Sequence, residues 1–554
     1  MQTFNTIDGN LSYQARTNPQ KLAFKIEDTT HQTSITYEAL NLSVENLSQY
    51  LSNHYPRQSV IGLIFDCDQL DFIIAFLACL RTGMIATPIA PPNLIPHRQK
   101  TDIKNIHQIL KQAKPSIIII GSEYIKKCLP TEKCILLNDI PSTLTTKAHI
   151  HSPTPEDIAF LQFTSGTTGI PKGVVLGHSQ ICANIDAMIM RMQILKKTAF
   201  NIDHVINWMP WYHDMGLISG ILLPLRLMIT GVLIPPKTFI KSPLFWLKTI
   251  SRHPRCLSGG PNFAYALCNK RASHQSKLSL DLSTWQLAFA GAQMVFESTF
   301  NQFNATFSPF GFNPSIFYPC YGLAESTLYV TGARSMQPPQ FKHQPLSLSQ
   351  EKLCSVGSSL PNHDIIIVDP MTKVTQEAGT LGEIWIKGPS VARGYYQRPS
   401  LSHEIFCAYT KENDGPYLRS GDLGLLDKGE LFLLGRIKDT IKIHARNHSC
   451  PALELTAQES HEKIRDMSCA AFSVLKNHQE VCMIAAEIRL IDTKHADEII
   501  RSIKAALSKK HGLSVDTVFL LPPKSIEKTT SGKIKRHVLQ NHFYKNTFQI
   551  LEKG

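Results

Sequence analysis

Residues 163–173 read Phe-Thr-Ser-Gly-Thr-Thr-Gly-Ile-Pro-Lys-Gly, the densest run of phosphate-compatible groups in the 554-residue chain. Gly166, Gly169 and Gly173 permit tight turns and close backbone approach; Thr164, Ser165, Thr167 and Thr168 supply hydroxyls; Lys172 adds a fixed positive charge. Such a run suits a phosphate cradle, and it also suits a hydroxyl-rich surface turn. A Walker A loop requires G-x-x-x-x-G-K followed by Ser or Thr, and Pro171 precedes the lysine here, so an ordinary P-loop is excluded.

Four further stretches carry chemistry. Tyr321-Gly-Leu-Ala-Glu-Ser326 combines a stacking aromatic, a turn glycine at Gly322 and a carboxylate at Glu325. That carboxylate suits Mg²⁺, which takes one or two carboxylates plus phosphate oxygens, or a helix cap. Trp208-Met-Pro-Trp-Tyr-His-Asp-Met-Gly-Leu-Ile218 sets His213 and Asp214 ahead of an apolar run from Gly216 to Leu225. A charged pair at the mouth of an apolar tunnel suits a carboxylate with a long hydrocarbon tail; a buried helix start with a satisfied histidine is the other reading. Asp422, on a glycine-flanked turn in Leu418-Arg-Ser-Gly-Asp-Leu-Gly424, can accept both hydroxyls of a ribose, or simply serve the turn. Lys533 follows Ser531-Gly532 on a turn able to thrust its ammonium outward, within a stretch that also reads as a solvated basic tail.

These groups need a scaffold. Strand-like and helix-like runs alternate from Thr36, the expected N-cap of a helix with Leu40, Val44, Leu47 and Leu51 on one face. Strands are expected over 60–65, 84–89, 116–120 and 134–137, and helices over 72–80 and 106–113, which predicts a doubly wound α/β architecture. A strand over 158–163 leads into the glycine loop, and 174–176 with a helix from Ser179 follow it, so the loop is expected at a sheet edge. Strands over 364–368 and 382–387 suggest a small β subdomain. Beyond it the expectation is a compact α+β module: helix 453–465, strands 469–475 and 481–488, helix 496–507 and strand 518–521. Segment 331–356, rich in Pro, Gln, Ser and Lys, reads as an inserted loop or hairpin.

Composition is ordinary for a globular chain, 43% hydrophobic and 18% charged. The net charge of +13 is spread without blocks of like charge, which favours anionic small molecules or an acidic carrier over nucleic acid. Thirteen cysteines without C-x-x-C spacing fit reduced thiols and a cytoplasmic location. The first residues show no basic-then-apolar secretory pattern, and the apolar run 72–80 is too short to span a bilayer. Neither G-x-S-x-G nor G-x-G-x-x-G occurs, which removes hydrolase and dinucleotide readings.

Thr164-Ser-Gly-Thr-Thr-Gly-Ile-Pro-Lys-Gly173 resembles the signature loop of the adenylate-forming superfamily, and six motifs from there to Arg536 occur in that family's order. Pro210-Trp-Tyr-His-Asp-Met-Gly-Leu-Ile218, Ala324 in place of the usual threonine before Glu325, and the 331–356 insertion resemble the fatty acyl-AMP ligase branch. The resemblance implies that Thr164, Ser165, Gly166, Thr167, Thr168, Gly169 and Lys172 hold ATP phosphates. By the same likeness Gly291, Ala292 and Gln293 flank adenine, Tyr321 and Gly322 border the nucleotide, and Asp422 and Arg436 take the ribose. Glu325 is the implied Mg²⁺ ligand, and Trp208, His213, Asp214, Met215, Gly216 and Ile221 the implied acyl site. Lys533, in Glu527-Lys-Thr-Thr-Ser-Gly-Lys, is the implied catalytic lysine, with His213 and Glu325 beside it in the chemistry; Lys528 replaces an arginine and Glu527 a proline of the family pattern. Lys438 is the implied hinge between an adenylation domain, 1–437, and a mobile domain, 438–554. The reaction so implied joins a long-chain fatty acid to AMP and passes the acyl group to an acyl carrier protein. Ala445, where the family usually has glycine, bears on CoA use, so an acyl-CoA ligase is one alternative and a catalytically silent adenylate-binding scaffold another.

Overall fold

The computed structural model describes residues 4–94, 96–141, 150, 152–164, 171–192, 202–273, 278–333, 336–343, 352–443, 446–476, 479–529 and 532–554. Two large sheets form the first part of the chain. One has six strands in the order Cys134–Leu136, Ile117–Ile120, Val60–Ile64, Ile85–Ile89, Ile158–Thr164, Lys172–Gly177, parallel except for the last pair. The inner strands Val60–Ile64 and Ile85–Ile89 are buried at every residue, as a parallel sheet covered on both faces requires. The other sheet has nine strands. Its parallel centre runs through Leu22–Glu27, Thr230–Leu233, His204–Asn207, Cys256–Gly260, Trp285–Ala290 and Phe317–Tyr321, with antiparallel strands at both edges.

Helices cover these sheets where the apolar spacing places them. Tyr37–His54 begins with Thr36 accepting a hydrogen bond from the Ala39 amide and buries Leu40, Val44, Leu47 and Leu51. Asp71–Thr82 ends on Gly83 in the left-handed conformation, which a glycine adopts without strain. One apolar cluster, Ile7 to Leu431, fills the space between the layers.

A four-stranded antiparallel sheet, Asp364–Val368, Gly382–Lys387, Leu418–Asp427 and Glu430–Arg436, forms the β subdomain. Asp422 lies inside its long third strand, not on a turn. Gly421 at φ +71° and the register shift between Leu423 and Gly424 form a bulge, so the glycines that resembled turn residues re-aim a strand instead. Within 331–356, Thr331–Gly332 is a strand of the nine-stranded sheet, and among the described residues Phe341–His343 pairs antiparallel with Lys352–Cys354.

From Ile441 onward the buried apolar residues form clusters of their own. The first helix there is Cys450–Glu459, shorter than expected, and Arg465 belongs to the strand Ile464–Lys476. Pro451 in the first turn favours the early start, and pairing of Ile464 with Ile488 draws the following residues into the sheet. The chain closes with a helix, Arg536–Tyr544, and an edge strand, Glu552–Lys553, that apolar periodicity did not indicate.

Candidate active site

The glycine-rich loop is held at both ends by an antiparallel pair, with Thr164 directly opposite Lys172. Ser165, Gly166, Thr167, Thr168 and Gly169 lie outside the described residues; Thr164 and Lys172, which flank them, sit at the edge of the six-stranded sheet. The Lys172 ammonium stands 5.0 Å above the ring centroid of Tyr395. The Tyr395 hydroxyl donates to Glu325 Oε1 at 2.9 Å. Burial lowers the Lys172 pKa, and the nearby Glu325 carboxylate works against that shift.

Glu325 sits in the short 3₁₀ turn Ala324–Ser326, immediately after the strand Phe317–Tyr321. The intervening Gly322 cannot carry a side chain: a Cβ there would lie 1.6 Å from the Leu328 carbonyl oxygen. Tyr321 is buried, and its hydroxyl donates to Asp422 Oδ2 at 2.7 Å rather than offering an open stacking face. Asp422 is also paired with Arg436, whose Nε lies 3.3 Å from Oδ1. Burial raises the Asp422 pKa above the usual carboxylate range, against the pull of Arg436, Tyr321 and Lys533. The strand is braced from behind: Ser420 Oγ donates to the Ile384 carbonyl at 2.6 Å and accepts from the Asp422 amide at 3.0 Å, while buried Glu383 receives Arg419 and the Gly421 amide.

Lys533 approaches this carboxylate from the last part of the chain. Lys533 is exposed; desolvation and Arg436 lower its pKa, and Asp214, Asp422 and Asp439 oppose that shift. Lys533, Arg436, Asp214 and Asp422 thus act on one another around a common crevice. Arg436 feels both Asp422 and Glu325, so the Lys172 end and the Lys533 end belong to one continuous charged surface. The helix that follows Lys533 is tied down beside Lys438: Arg536 Nη1 meets Asp439 at 2.9 Å and Nη2 meets Glu454 at 2.7 Å. Lys438 itself lies in the 3₁₀ turn Ile437–Asp439.

Asp214 borders the crevice and caps a π-helix, Met215–Leu222, accepting from the Met215 amide at 2.8 Å. Its glycines are required by close packing: a Cβ on Gly216 would lie 2.0 Å from the Pro210 carbonyl oxygen, and one on Gly220 2.1 Å from the Asn207 side-chain nitrogen. π-Helical turns cluster at functional sites. His213 precedes the cap, its carbonyl accepting from Leu217, and Gly216 and Ile221 are buried. Trp208 stacks on Phe239 at 3.8 Å between centroids and meets Phe263 and Trp246 edgewise or tilted. Gly291 follows the strand Trp285–Ala290 and packs against Cys320, and Ala292 takes a left-handed backbone at φ +62°. Charge or hydrogen bonds join Lys172, Glu325, Tyr321, Asp422, Arg436, Lys533 and Asp214; Trp208 and Ile221 sit in the apolar core. Tyr395 is not among the candidates the sequence offers; Gly394-Tyr395-Tyr396, between the second and third strands of the β subdomain, is the available signal.

Residues 11–396 match the AMP-binding enzyme family, and residues 438–553 match the AMP domain of Disco-interacting protein 2-like chains. The chain belongs to the AMP-binding enzyme family. Among relatives of this AMP-binding enzyme is the medium-chain-fatty-acid–acyl-carrier-protein ligase JamA of Moorena producens (strain JHB), 32% identical, covering 99% of this chain and 97% of JamA. The long-chain-fatty-acid–AMP ligase FadD26 of Mycobacterium marinum is 31% identical, with 97% and 99% covered. The crystal structure of a fatty acyl-adenylate ligase from Legionella pneumophila in complex with acyl adenylate and pyrophosphate superposes with a TM-score of 0.74, at 31% identity, over 100% of this chain and 98% of that one. The AMP-binding enzyme is adenylate-forming. Among its described residues no helix is long and apolar enough to cross a membrane.

Proposed function

We infer that the protein is a fatty acyl-AMP ligase: it joins a long-chain fatty acid to AMP from ATP, releases pyrophosphate, and hands the acyl group to the phosphopantetheine thiol of an acyl carrier protein. The observation that carries this reading is the buried Tyr321–Asp422–Arg436 cluster, with which Lys533 interacts through charge, as it does with Asp214. A carboxylate oxygen attacks the α-phosphorus of ATP, the new carboxyl-oxygen-to-phosphorus bond forms, and the bond to the bridging oxygen of pyrophosphate breaks. Both reactants are anionic, so their approach needs positive charge aimed at the meeting point. Lys533 supplies it between the carboxylate and the α-phosphate. Lys172 and the glycine loop hold the departing phosphates, Asp422 and Arg436 the ribose, Tyr321 and Gly322 the nucleotide's border, and Gly291 and Ala292 the adenine. Trp208, His213, Asp214, Met215, Gly216 and Ile221 receive the acyl carboxylate and the start of its chain.

Glu325 presents one carboxylate beside the phosphate lysine, and no group of three His, Cys, Asp or Glu among the described residues forms a self-sufficient metal cage. That donor set fits Mg²⁺, which brings phosphate oxygens and water as its remaining ligands and, when bound, neutralises charge on the leaving pyrophosphate. We place the domain boundary at 437/438, with 438–554 moving about Lys438, a division supported by the separate apolar clusters on either side. The cysteines are free thiols, which supports a cytoplasmic location.

The test supplies ATP, Mg²⁺ and a chain-length series of fatty acids, then CoA or a carrier protein bearing phosphopantetheine. The expected result is fatty-acid-dependent pyrophosphate release, acyl transfer to the carrier and no accumulation of acyl-CoA. Accumulating acyl-CoA would make the protein a CoA ligase, and absence of pyrophosphate release with every acid would make it a silent adenylate-binding scaffold.

A further inference from the structure

Residues 392–396 form an extended strap that joins two parts of the site distant in sequence. The Ala392 amide donates to the Glu325 carbonyl at 2.9 Å, and Thr327 Oγ1 donates to the Ser390 carbonyl at 2.7 Å, so the strap starts on the glutamate turn. It then runs along the strand that returns from the glycine loop. Arg393 donates to Val175 at 3.1 Å, Val175 to Gly394 at 2.9 Å and Tyr396 to Gly173 at 2.7 Å, with Tyr395 opposite Val174. Tyr395 is 7% exposed, its amide donates to Ser402 Oγ at 2.8 Å, and its ring meets Phe406 edge-on at 5.1 Å. The ring is therefore fixed from the backbone and from behind.

This fixed ring touches opposite charges with different faces. Its hydroxyl holds Glu325, and its π face seats the Lys172 ammonium. Lys172 and Glu325 interact through space, yet no ion pair joins them among the described residues. A direct pair would be self-defeating, because the ammonium would have to leave the carboxylate before meeting phosphate, and the carboxylate would have to leave the ammonium before meeting a metal. We propose that Tyr395 is a positioning residue that keeps Lys172 and Glu325 apart and separately aimed, so that the empty enzyme holds a phosphate-binding cation and a metal-binding anion without their neutralising each other.

The proposal rests on the reading of Lys172 and Glu325 given above, and its test separates the two. Metal-free ATP binding is measured by calorimetry in EDTA, Mn²⁺ binding to the ATP complex by electron paramagnetic resonance, and Mg²⁺ dependence by pyrophosphate release. Tyr395→Phe keeps the ring and loses the hydroxyl; loss of a hydrogen bond to a charged group predicts about tenfold weaker Mn²⁺ binding with metal-free ATP affinity unchanged. Tyr395→Leu loses both contacts, lets the pair close, and weakens metal-free ATP binding by about tenfold as well. Adding Glu325→Gln to Tyr395→Leu removes the partner and restores metal-free ATP affinity, a recovery that a purely structural role for Tyr395 would not produce. Unaltered Mn²⁺ binding in Tyr395→Phe, or no recovery in the double variant, overturns the proposal. Lys172→Ala and Glu325→Gln in the unmodified background report on the underlying reading: if neither changes ATP or metal binding, that reading fails.

Discussion

The Lys172–Glu325 end and the Asp422–Arg436 end of this site, which we assign to the phosphates and to the ribose, are built in different ways. At the phosphate side, Lys172 and Glu325 are fixed by main-chain pairing, through the strand Lys172–Gly177, the strap over 392–396 and the turn at Gly322, all within the first part of the chain. At the ribose side, Asp422 and Arg436 are fixed by cross-strand pairing, and only Lys533, from the last part of the chain, joins them through charge. The first arrangement is preorganised by its backbone. The second depends on a residue from the last part of the chain, which would move with that part about our proposed hinge at Lys438. The difference predicts where single substitutions act: on binding at the phosphate side, on chemistry and its pH dependence at the crevice.

The largest expected effect is at Lys533. Removing one well-aimed charged donor costs about 3 kcal/mol of transition-state stabilisation, so Lys533→Ala slows adenylate formation by roughly a hundredfold or more. ATP affinity stays near that of the unmodified enzyme, because the phosphate side is built without Lys533. Pyrophosphate release in the presence of fatty acid, set against ATP binding in its absence, checks the split. Near-normal pyrophosphate release from the variant would erase the distinction between the two sides.

A smaller effect is expected from Asp422→Asn. The amide keeps the shape but loses the charge that Arg436 and the ribose hydroxyls share, and a hydrogen bond to a charged group is worth about 2 kcal/mol, so KM for ATP rises by roughly tenfold or more. The effect on kcat is smaller than that on KM. A variant that loses kcat with KM unchanged would move Asp422 from nucleotide binding into the chemistry.

The sequence made the two sides legible to different degrees, for the same physical reason. The doubly wound sheets, the Thr36 cap and the apolar faces of the flanking helices follow from local rules of spacing and capping, and they stand where those rules put them. Lys172 and Glu325 were readable because each sits in a short motif with its own glycine. Asp422 was readable as a carboxylate but not as part of a strand, since glycines 421 and 424 signal a turn and a bulge alike, and only pairing with Gly382–Lys387 and Glu430–Arg436 decides between them. Tyr395 was unreadable because its role depends on Lys172 and Glu325, 223 and 70 residues away in sequence. The glycines of the π-helix Met215–Leu222 are likewise dictated by Pro210 and Asn207, whose proximity no periodicity reports. The C-terminal strand that took over Arg465 was decided by its partner Ile488.

The subtlest prediction decides which side governs the alkaline limb of the pH profile. In the free enzyme the Lys533 and Lys172 pKa values are both lowered, chiefly by desolvation, so the alkaline limb of kcat/KM falls below the ordinary lysine range whichever of them controls it. The active form is the ammonium, so activity is present below the pKa and lost as pH rises through it. Asp214 leads the carboxylates that favour the ammonium of Lys533, whereas Glu325 leads those that favour the ammonium of Lys172. Removing a carboxylate that favours an ammonium lowers its pKa and moves the limb to lower pH. If the crevice governs, Asp214→Asn shifts the limb of kcat/KM downward and Glu325→Gln leaves its position alone, whatever either does to its height. The limb of kcat lies higher than that of kcat/KM, because bound phosphates stabilise the ammonium in the complex. A limb that moves with Glu325→Gln and ignores Asp214→Asn would assign the pH dependence to the preorganised side, and with it the step that limits the reaction.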